Sequence, residues 1–576
     1  MKTRKEFGKI SARIFYEFAT FRVDARERQV RRDGKLLALT PKVFDILLLL
    51  IQNPGRILTK DEMMKQVWPD TTVEEANLPR NISTLRKALG EERDEYIETI
   101  PWRGYRFVAE VKELRDGSDQ IDSLAVLPFV NESADPAAEY LSDGITEDLI
   151  HKLSLLSSLK VMSRLSVFHY KVGDPKKSQA DAKEVGRVLG VRAVLTGRIR
   201  VIENVVLVSV ELVDAGDNAH LWGAQYNREL SDISKMQESI SREVVQQLKV
   251  KLTAQEQQRL AQSHAEDPEA YQLYLKGRYF WNKLTPDGIR KAIQFFEQAI
   301  GRDPAYALAY TGLLDCHTYL NQPVQARRAA AQALELDPAL GEVHASLGFF
   351  KFLYDWDFPG TEKELKQALK LSPNYAQTHH WHAIYVAHMG RFEEAIAEAA
   401  RARELDPLSP LINQTMGNVL MLAGDYDGAV DALLHTLELD PHFAAAHSVL
   451  ACVYCLKGMY EEALARFEKV GSLAGGNAAI DASVQVLSGW VYAAWGKKSE
   501  AMKIIAQNSE SPMVSPYSIA GIYAALGEHD RAFEYLNRAF QARSFQLVSL
   551  KVDPSFRNLR SDPRFEDLLH RIGLKP

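Results

Sequence analysis

The sequence predicts a multidomain protein: a small α+β domain, then a second α+β sandwich, then an all-α solenoid. Three observations carry this. Within the first 110 residues, short period-2 segments give way to helical periodicity and then return. Between 123 and 262, β-branched runs interleave with helical ones. Beyond 265, Asp-Pro or Ser-Pro recurs with its proline at 304, 338, 373, 407 and 441. At 576 residues the chain is in any case too long for one core.

Composition is that of a globular protein, 46% hydrophobic and 25% charged. The longest apolar run, Ile46 to Ile51, is far short of the roughly 20 residues a membrane helix needs. The start, MKTRKEFGKISAR, lacks a signal-peptide core, and three cysteines fit a reducing compartment. A soluble, cytoplasmic protein is expected. The net charge of −6 is unevenly spread: residues 1–112 hold 22 Lys and Arg against 17 Asp and Glu. A basic head on an acidic body suits a polyanion-binding domain attached to a body that must not bind polyanions.

The N-terminal elements follow in order. Segments around Tyr16–Val23, Gln29–Arg32 and Leu36–Leu39 read as short strands, with a hairpin turn at Asp33-Gly34. Thr40-Pro41 opens the apolar helix PKVFDILLLLIQN, which Asn53-Pro54-Gly55 stops. Thr59 to Glu62 has the capping-box spacing and opens KDEMMKQVW, ended by Trp68-Pro69-Asp70. From Glu74 to Phe107 come an amphipathic helix, an acidic connector and a hairpin tipped by Trp102-Arg103-Gly104. Leu78, Ile82, Leu85 and Leu89 form the helix's apolar face. Arg80, Thr84 and Lys87 lie opposite, beside Asn77 and Ser83, with Arg86 on the flank. Such a polar face has the groups needed to reach phosphates and base edges in a major groove.

LTPKVFDILLLLIQNPGRILTKDEMMKQVWPD, NISTLRKALGE and YIETIPWRGYRF together resemble the OmpR/PhoB-type winged helix-turn-helix, and most closely its CadC/ToxR-like branch. The resemblance implies that the third helix enters the major groove and the hairpin wing the minor groove. It implies reading positions at Arg80, Asn81, Thr84 and Arg86, a backbone contact from Lys87 and a wing contact from Arg103, with Ser83 beside them. Trp102 either packs the wing or touches DNA. Two departures stand out. Pro79 requires that the helix start no earlier than about Glu75 or be kinked at its entrance. Thr84 also stands where some relatives have arginine, so no target sequence transfers.

The expected boundaries are 13–112 for this domain, 113–122 for a linker, 123–262 for the second domain, 265–545 for the repeats and 546–576 for a terminal cap. CadC-like proteins place a membrane helix after the winged helix; none is expected here. In the second domain LAVLPF, DGITEDLI, LGVRAVLTGRIR and LWGAQYNR resemble the TolB N-terminal-like domain of bacterial regulators. Asp143, Glu147 and Asp148 read as a capped helix start rather than a carboxylate site, and Ile233, Met236, Ile240, Val244 and Leu248 as an amphipathic exit helix.

The proline spacings in the repeats are 34, 35, 34 and 34. Gly390/Phe392/Ala395, Gly424/Tyr426/Ala429 and Gly458/Tyr460/Ala463 repeat at 34. This is the tetratricopeptide pattern, in which small residues let paired helices pack closely; about seven or eight units are expected. Such solenoids offer concave surfaces to peptides or proteins. The C-x-x-C at Cys452 and Cys455, the histidines 379, 380 and 382, and Trp356 and Trp381 read as packing residues rather than metal, redox or groove sites.

No catalytic motif, cofactor or metal site is expected: G-x-x-x-x-G-K-[ST], H-E-x-x-H and G-x-S-x-G are all missing. The expected function is signal transduction by a one-component transcription regulator on double-stranded DNA, with the repeat groove sensing or docking a protein or peptide. RNA polymerase and a second copy on DNA are further expected partners, and a membrane is not. The alternative is a repeat scaffold whose winged helix serves protein interaction.

Overall fold

The computed structural model describes residues 14–24, 29–32, 35–37, 39, 41–67, 77–90, 96–100, 103–109, 111–115, 121–133, 138–171, 180–260, 267–283 and 285–575. Thr40, the Asp33-Gly34 turn, Trp68 to Asp70, the acidic connector at 91–95 and Trp102 lie outside them. The chain forms two compact units, 1–120 and 121–576.

In the first unit β1 (Ile14–Phe18), β2 (Phe21–Asp24), β3 (Gln29–Arg32) and β4 (Lys35–Leu37) form an antiparallel sheet. The run expected around Tyr16–Val23 is therefore two strands. Ala19, at φ 45°, turns the chain between them. Helix α1 (Pro41–Ile51), β5 (Ile57–Thr59) and α2 (Lys60–Val67) follow. The capping box forms as read: Thr59 N donates to Glu62 at 2.9 Å and Glu62 N to Thr59 Oγ1 at 3.2 Å. Then come α3 (Asn77–Leu89), β6 (Ile97–Ile100), β7 (Gly104–Phe107) and β8 (Lys112–Arg115). Strands β5, β7 and β6 make the wing sheet. Strand β8 pairs with β1, Leu114 opposite Phe15, so residues 113–115 belong to this sheet and not to a linker.

The second unit begins with β9 (Ser123–Val126), β10 (Val130–Asn131), α4 (Glu139–Ser154), β11 (Lys160–Val161), α5 (Arg164–Phe168) and α6 (Ala182–Leu189). The meander β12 (Ala193–Ile202), β13 (Val205–Asp214), β14 (His220–Glu229) and the helices α7 (Ile233–Gln247) and α8 (Ala254–Leu260) complete this part. The sheet order is β11-β9-β12-β13-β14, with β9 parallel to its neighbours and the meander antiparallel. Asp143, Glu147 and Asp148 are not at a helix start. Helix α4 begins at Glu139, which puts all three in its interior, where they form ion pairs.

Eight helix pairs follow among the described residues. They are α9 (Pro268–Trp281) with α10 (Pro286–Arg302), α11 (Ala307–Tyr319) with α12 (Pro323–Leu336), α13 (Gly341–Phe350) with α14 (Phe358–Leu371), and α15 (Ala376–His388) with α16 (Phe392–Leu405). After these come α17 (Pro410–Ala423) with α18 (Tyr426–Leu439), α19 (Ala444–Leu456) with α20 (Tyr460–Leu473), α21 (Ala478–Ala494) with α22 (Lys498–Asn508), and α23 (Pro516–Ala525) with α24 (His529–Gln541). Ala395, Ala429 and Ala463 are fully buried where the paired helices meet. Gly390, Gly424 and Gly458 are different: each has φ near +80° and open space around a would-be Cβ. They end the first helix of their units in the left-handed conformation and are not there for close packing. Trp356 takes this conformation in the third unit, at φ 56°, after a π-helical turn at Lys351–Asp355. That turn falls in the one interval of 35 residues, between Pro338 and Pro373, and absorbs the additional residue.

The groove expected to be open is occupied by the chain itself. One apolar core runs without a break from β9 and α4 into the first three units. Glu147 meets Arg278 of α9, His151 meets Glu342 of α13, and Ser166 donates to Asp406 at 2.5 Å. At the other end, two 3-10 turns (Phe545–Ser549 and Pro554–Leu559) and α25 (Pro563–Ile572) pack back toward the third and fourth units. Ser549 bonds His388 at 3.0 Å, and the Trp356 ring lies 5.8 Å from that of Phe540.

Candidate nucleic-acid interface

Helix α3 has two faces of opposite character. Leu78, Ile82, Leu85 and Leu89 are each 0–1% exposed and pack with α1 and the wing in a single core. Arg80, Ser83, Thr84 and Lys87 are exposed, and Asn81 is half-buried between the two faces. Pro79 is the third residue of the helix, where its missing N–H interrupts no intrahelical bond. Thr84 Oγ1 donates to the Arg80 carbonyl at 3.0 Å, which fixes the hydroxyl along the helix.

Arg86 departs from the expected reading set. Its guanidinium turns toward β6, donating to the Ile97 carbonyl and, at 3.0 Å, to Thr99 Oγ1. It ties the helix to the wing. Burial raises the Tyr105 phenol above its ordinary pKa while Arg86 pulls it the other way, so the two lie within reach of each other's charge.

The wing is held by a backbone contact. Gly104 has φ 153°, and a Cβ there would stand 2.0 Å from the Leu58 carbonyl oxygen. No side chain fits, so β7 lies directly on β5. Arg103 N donates to the Ile100 carbonyl at 3.1 Å across the hairpin, and the Arg103 side chain is exposed. Arg106 is held by Glu98 at 2.5 Å within the wing.

With this geometry the comparisons agree. Residues 34–107 match the family model "Transcriptional regulatory protein, C terminal". This is an OmpR/PhoB-type winged-helix domain. Residues 119–248 match "HilA/YgeH-like transcriptional regulator, second domain"; this is the description that fits the region read as TolB-like. Residues 517–545 match a tetratricopeptide repeat.

Among relatives, "Putative adenylate cyclase 3" of Rhizobium meliloti (strain 1021) is 35% identical over 283 residues, 47% of this chain and 41% of its own length. Transcriptional regulator HilA of Salmonella typhi is 25% identical over 391 residues, 65% of this chain and 68% of its own. Transcriptional activator CadC of Escherichia coli (strain K12) is 35% identical over 86 residues, 14% of this chain and 17% of its own. The solved DNA-binding domain of Escherichia coli CadC is 29% identical, with a TM-score of 0.17, over 18% of this chain and all of that one. The chain thus spans well under half of the cyclase-named relative and about two thirds of HilA. It joins a winged-helix domain, a region matching the second domain of HilA-like regulators, and tetratricopeptide repeats.

His379, one of the three histidines near 380, has a repeat-level explanation that the sequence reading missed. His344, His379 and His447 each bond through Nε2 to the carbonyl of the proline six residues earlier, at 3.0 to 3.1 Å, and Asn413 does the same to Pro407 at 2.8 Å. Aligning the 34-residue units would have revealed the offset. Burial pushes the thiols of Cys452 and Cys455 up to about 12, so both are protonated packing groups. Among the described residues no group of three His, Cys, Asp or Glu side chains could hold a metal ion, and no helix is long and apolar enough to cross a membrane.

Proposed function

We propose that this chain is a one-component transcription regulator that binds double-stranded DNA by inserting α3 into the major groove and laying the wing along the minor groove. The observation that carries the reading is the two-faced α3. Its apolar face is locked into the core, and Arg80, Ser83, Thr84 and Lys87 face outward beside a wing whose exposed tip residue is Arg103. Arg80 and Thr84 read bases, with Asn81 contributing from the edge of the face. Lys87 and Arg103 neutralise phosphates, and Arg86 positions the wing. Trp102 sits at the wing tip in sequence and is assigned to the same surface. DNA contact places the protein in the cytoplasm with the chromosome, and regulation acts through the second unit.

The repeats then serve first as a shell for the HilA-like region. A protein partner, RNA polymerase among the candidates, docks on what that shell leaves exposed, and paired copies occupy adjacent half-sites. The cyclase activity in one relative's name is not carried to this chain, which spans 41% of that protein. The test is recovery of genomic fragments by the full chain. Convergence on one short motif, lost with Arg80→Ala, supports the reading. Recovery without a shared motif favours the scaffold alternative, in which the winged helix binds protein.

A further inference from the structure

The inner side of the C-terminal repeats holds a cavity of about 280 Å³ that the HilA-like region and the terminal segment leave unfilled. It lies between the first helices α15, α17, α19, α21 and α23 and the returning turns around Ser549 to Phe556. Met421, Leu456, Leu487, Trp490 and Phe556 give it apolar walls. A dry cavity of about 150 Å³ admits a benzene ring, so this one has room for a two-ring body.

Its polar side is one-signed. Among the described residues Asp553 is the only carboxylate lining it, and no lysine or arginine does. The Asp553 carboxylate accepts from Tyr517 Oη at 2.7 Å and from Ser555 N at 2.8 Å, which leaves lone pairs on both oxygens. The opposite wall carries no compensating positive charge. His388 Nδ1 donates to the Ile384 carbonyl at 2.7 Å, and Nε2 lies 3.0 Å from Ser549 Oγ. Burial lowers the pKa of the ring, against the Ile384 carbonyl and Asp553, and so favours its neutral form. The charge of Asp553 is felt at both His388 and Cys452. Arg560 bonds the Asp553 main-chain oxygen at 3.3 Å and feels the Asp553 charge, but it stands outside the lining. Gly521 opens the floor: a Cβ there would meet Ser555 and Phe556 only at 3.8 and 3.9 Å.

We infer that this cavity is a ligand site for a compact aromatic amine, its rings against Trp490 and its ammonium group on Asp553. Apolar walls supply the affinity, and a carboxylate with lone pairs left beside aromatic faces selects a cation over its neutral or anionic analogues. The site joins the terminal segment to five units, so occupancy would tighten the closure of the array. The inference does not rest on DNA binding.

The test is calorimetric titration of the folded full chain with three probes of one shape: tryptamine, indole and indole-3-acetate. Tryptamine is expected to bind saturably at one site, indole about tenfold more weakly, and indole-3-acetate not measurably. Asp553→Asn keeps the shape of the turn and should bring tryptamine down to the affinity of indole. Gly521→Met, which fills the floor, should abolish both. No saturable tryptamine binding, equal binding of the anion, or binding that survives Gly521→Met would overturn the assignment. Should Asp553→Asn fail to fold, the three-probe series on the unaltered chain decides the charge preference by itself.

Discussion

The Arg278 guanidinium, on the first repeat helix, holds both the position and the charge of Glu147 on α4, through bonds of 2.5 and 2.9 Å to one carboxylate oxygen. Asn282 donates to the other oxygen at 2.8 Å. Burial works against the charged carboxylate, yet Arg278 and Arg164 bring its pKa below the ordinary value. The two side chains are only 21% and 17% exposed, so little water is at hand to replace either partner. Arg278→Ala is therefore expected to lower unfolding stability by about 3 kcal/mol. Urea denaturation checks this, and the double change with Glu147→Ala should cost less than the sum of the two single changes.

A second polar contact in the same interface makes stability depend on pH. Burial alone lowers the pKa of His151, but Glu342 at 2.7 Å and then Asp148 outweigh it and raise the pKa, with Lys152 opposing. A histidine whose folded pKa is raised adds stability that is fully present below its unfolded pKa of about 6.5 and disappears as pH climbs through the folded value. The stability difference between the natural chain and His151→Gln should thus be largest below pH 6 and shrink above neutrality. A difference that is flat with pH would show that the ion pair contributes nothing.

Gly104→Ala probes the wing. The added Cβ would sit 2.0 Å from the Leu58 oxygen and 2.9 Å from Thr59 Cα, all backbone that cannot step aside cheaply. A loss of about 3 kcal/mol or more in the N-terminal unit is expected by thermal unfolding. A change under about 1 kcal/mol would mean that β7 does not lie on β5 as described.

Arg86→Ala should weaken binding to all DNA sequences alike, because it frees the wing and removes no base contact. Arg86→Lys should not restore it, since a single ammonium cannot span the Ile97 carbonyl and Thr99 as the guanidinium fork does. Anisotropy titration of matched and scrambled duplexes distinguishes this from a sequence-specific loss.

What was legible in the sequence follows from the range of the forces involved. The apolar face of α3 and the capping box at Thr59 are short-range patterns, and both form as read. The side chain of Arg86 lies on a helix flank, and only the position of β6 decides which way it reaches. Strand β8 is short and polar, and its partner β1 lies almost a hundred residues earlier, so it resembled linker. The interval of 35 residues was visible, but the π-helical turn behind it was not. Nor could periodicity show that α4 would fill the repeat groove, because the Glu147–Arg278 contact joins positions 131 apart. Asp143 and Asp148 pair within their own region with Lys171 and Lys152, and only Glu147 reaches a repeat helix, at Arg278; the residues alone look like a helix start.

Base reading and phosphate contact should separate along α3. Arg80→Ala should cost about 1–3 kcal/mol on the preferred site and flatten discrimination there, while Lys87→Ala should weaken every sequence alike. Thr84→Ala should also shift preference, through its exposed methyl, since its hydroxyl already bonds the Arg80 carbonyl.

The most direct measurement is fluorescence anisotropy of the full chain on a recovered genomic fragment, titrated over a salt series. The DNA-reading account predicts saturable binding whose logarithm falls linearly with the logarithm of salt, by about 0.9 per phosphate contacted, with a shallower slope by about that amount in Lys87→Ala. Binding that is absent, or indifferent to salt and to Lys87, would contradict it.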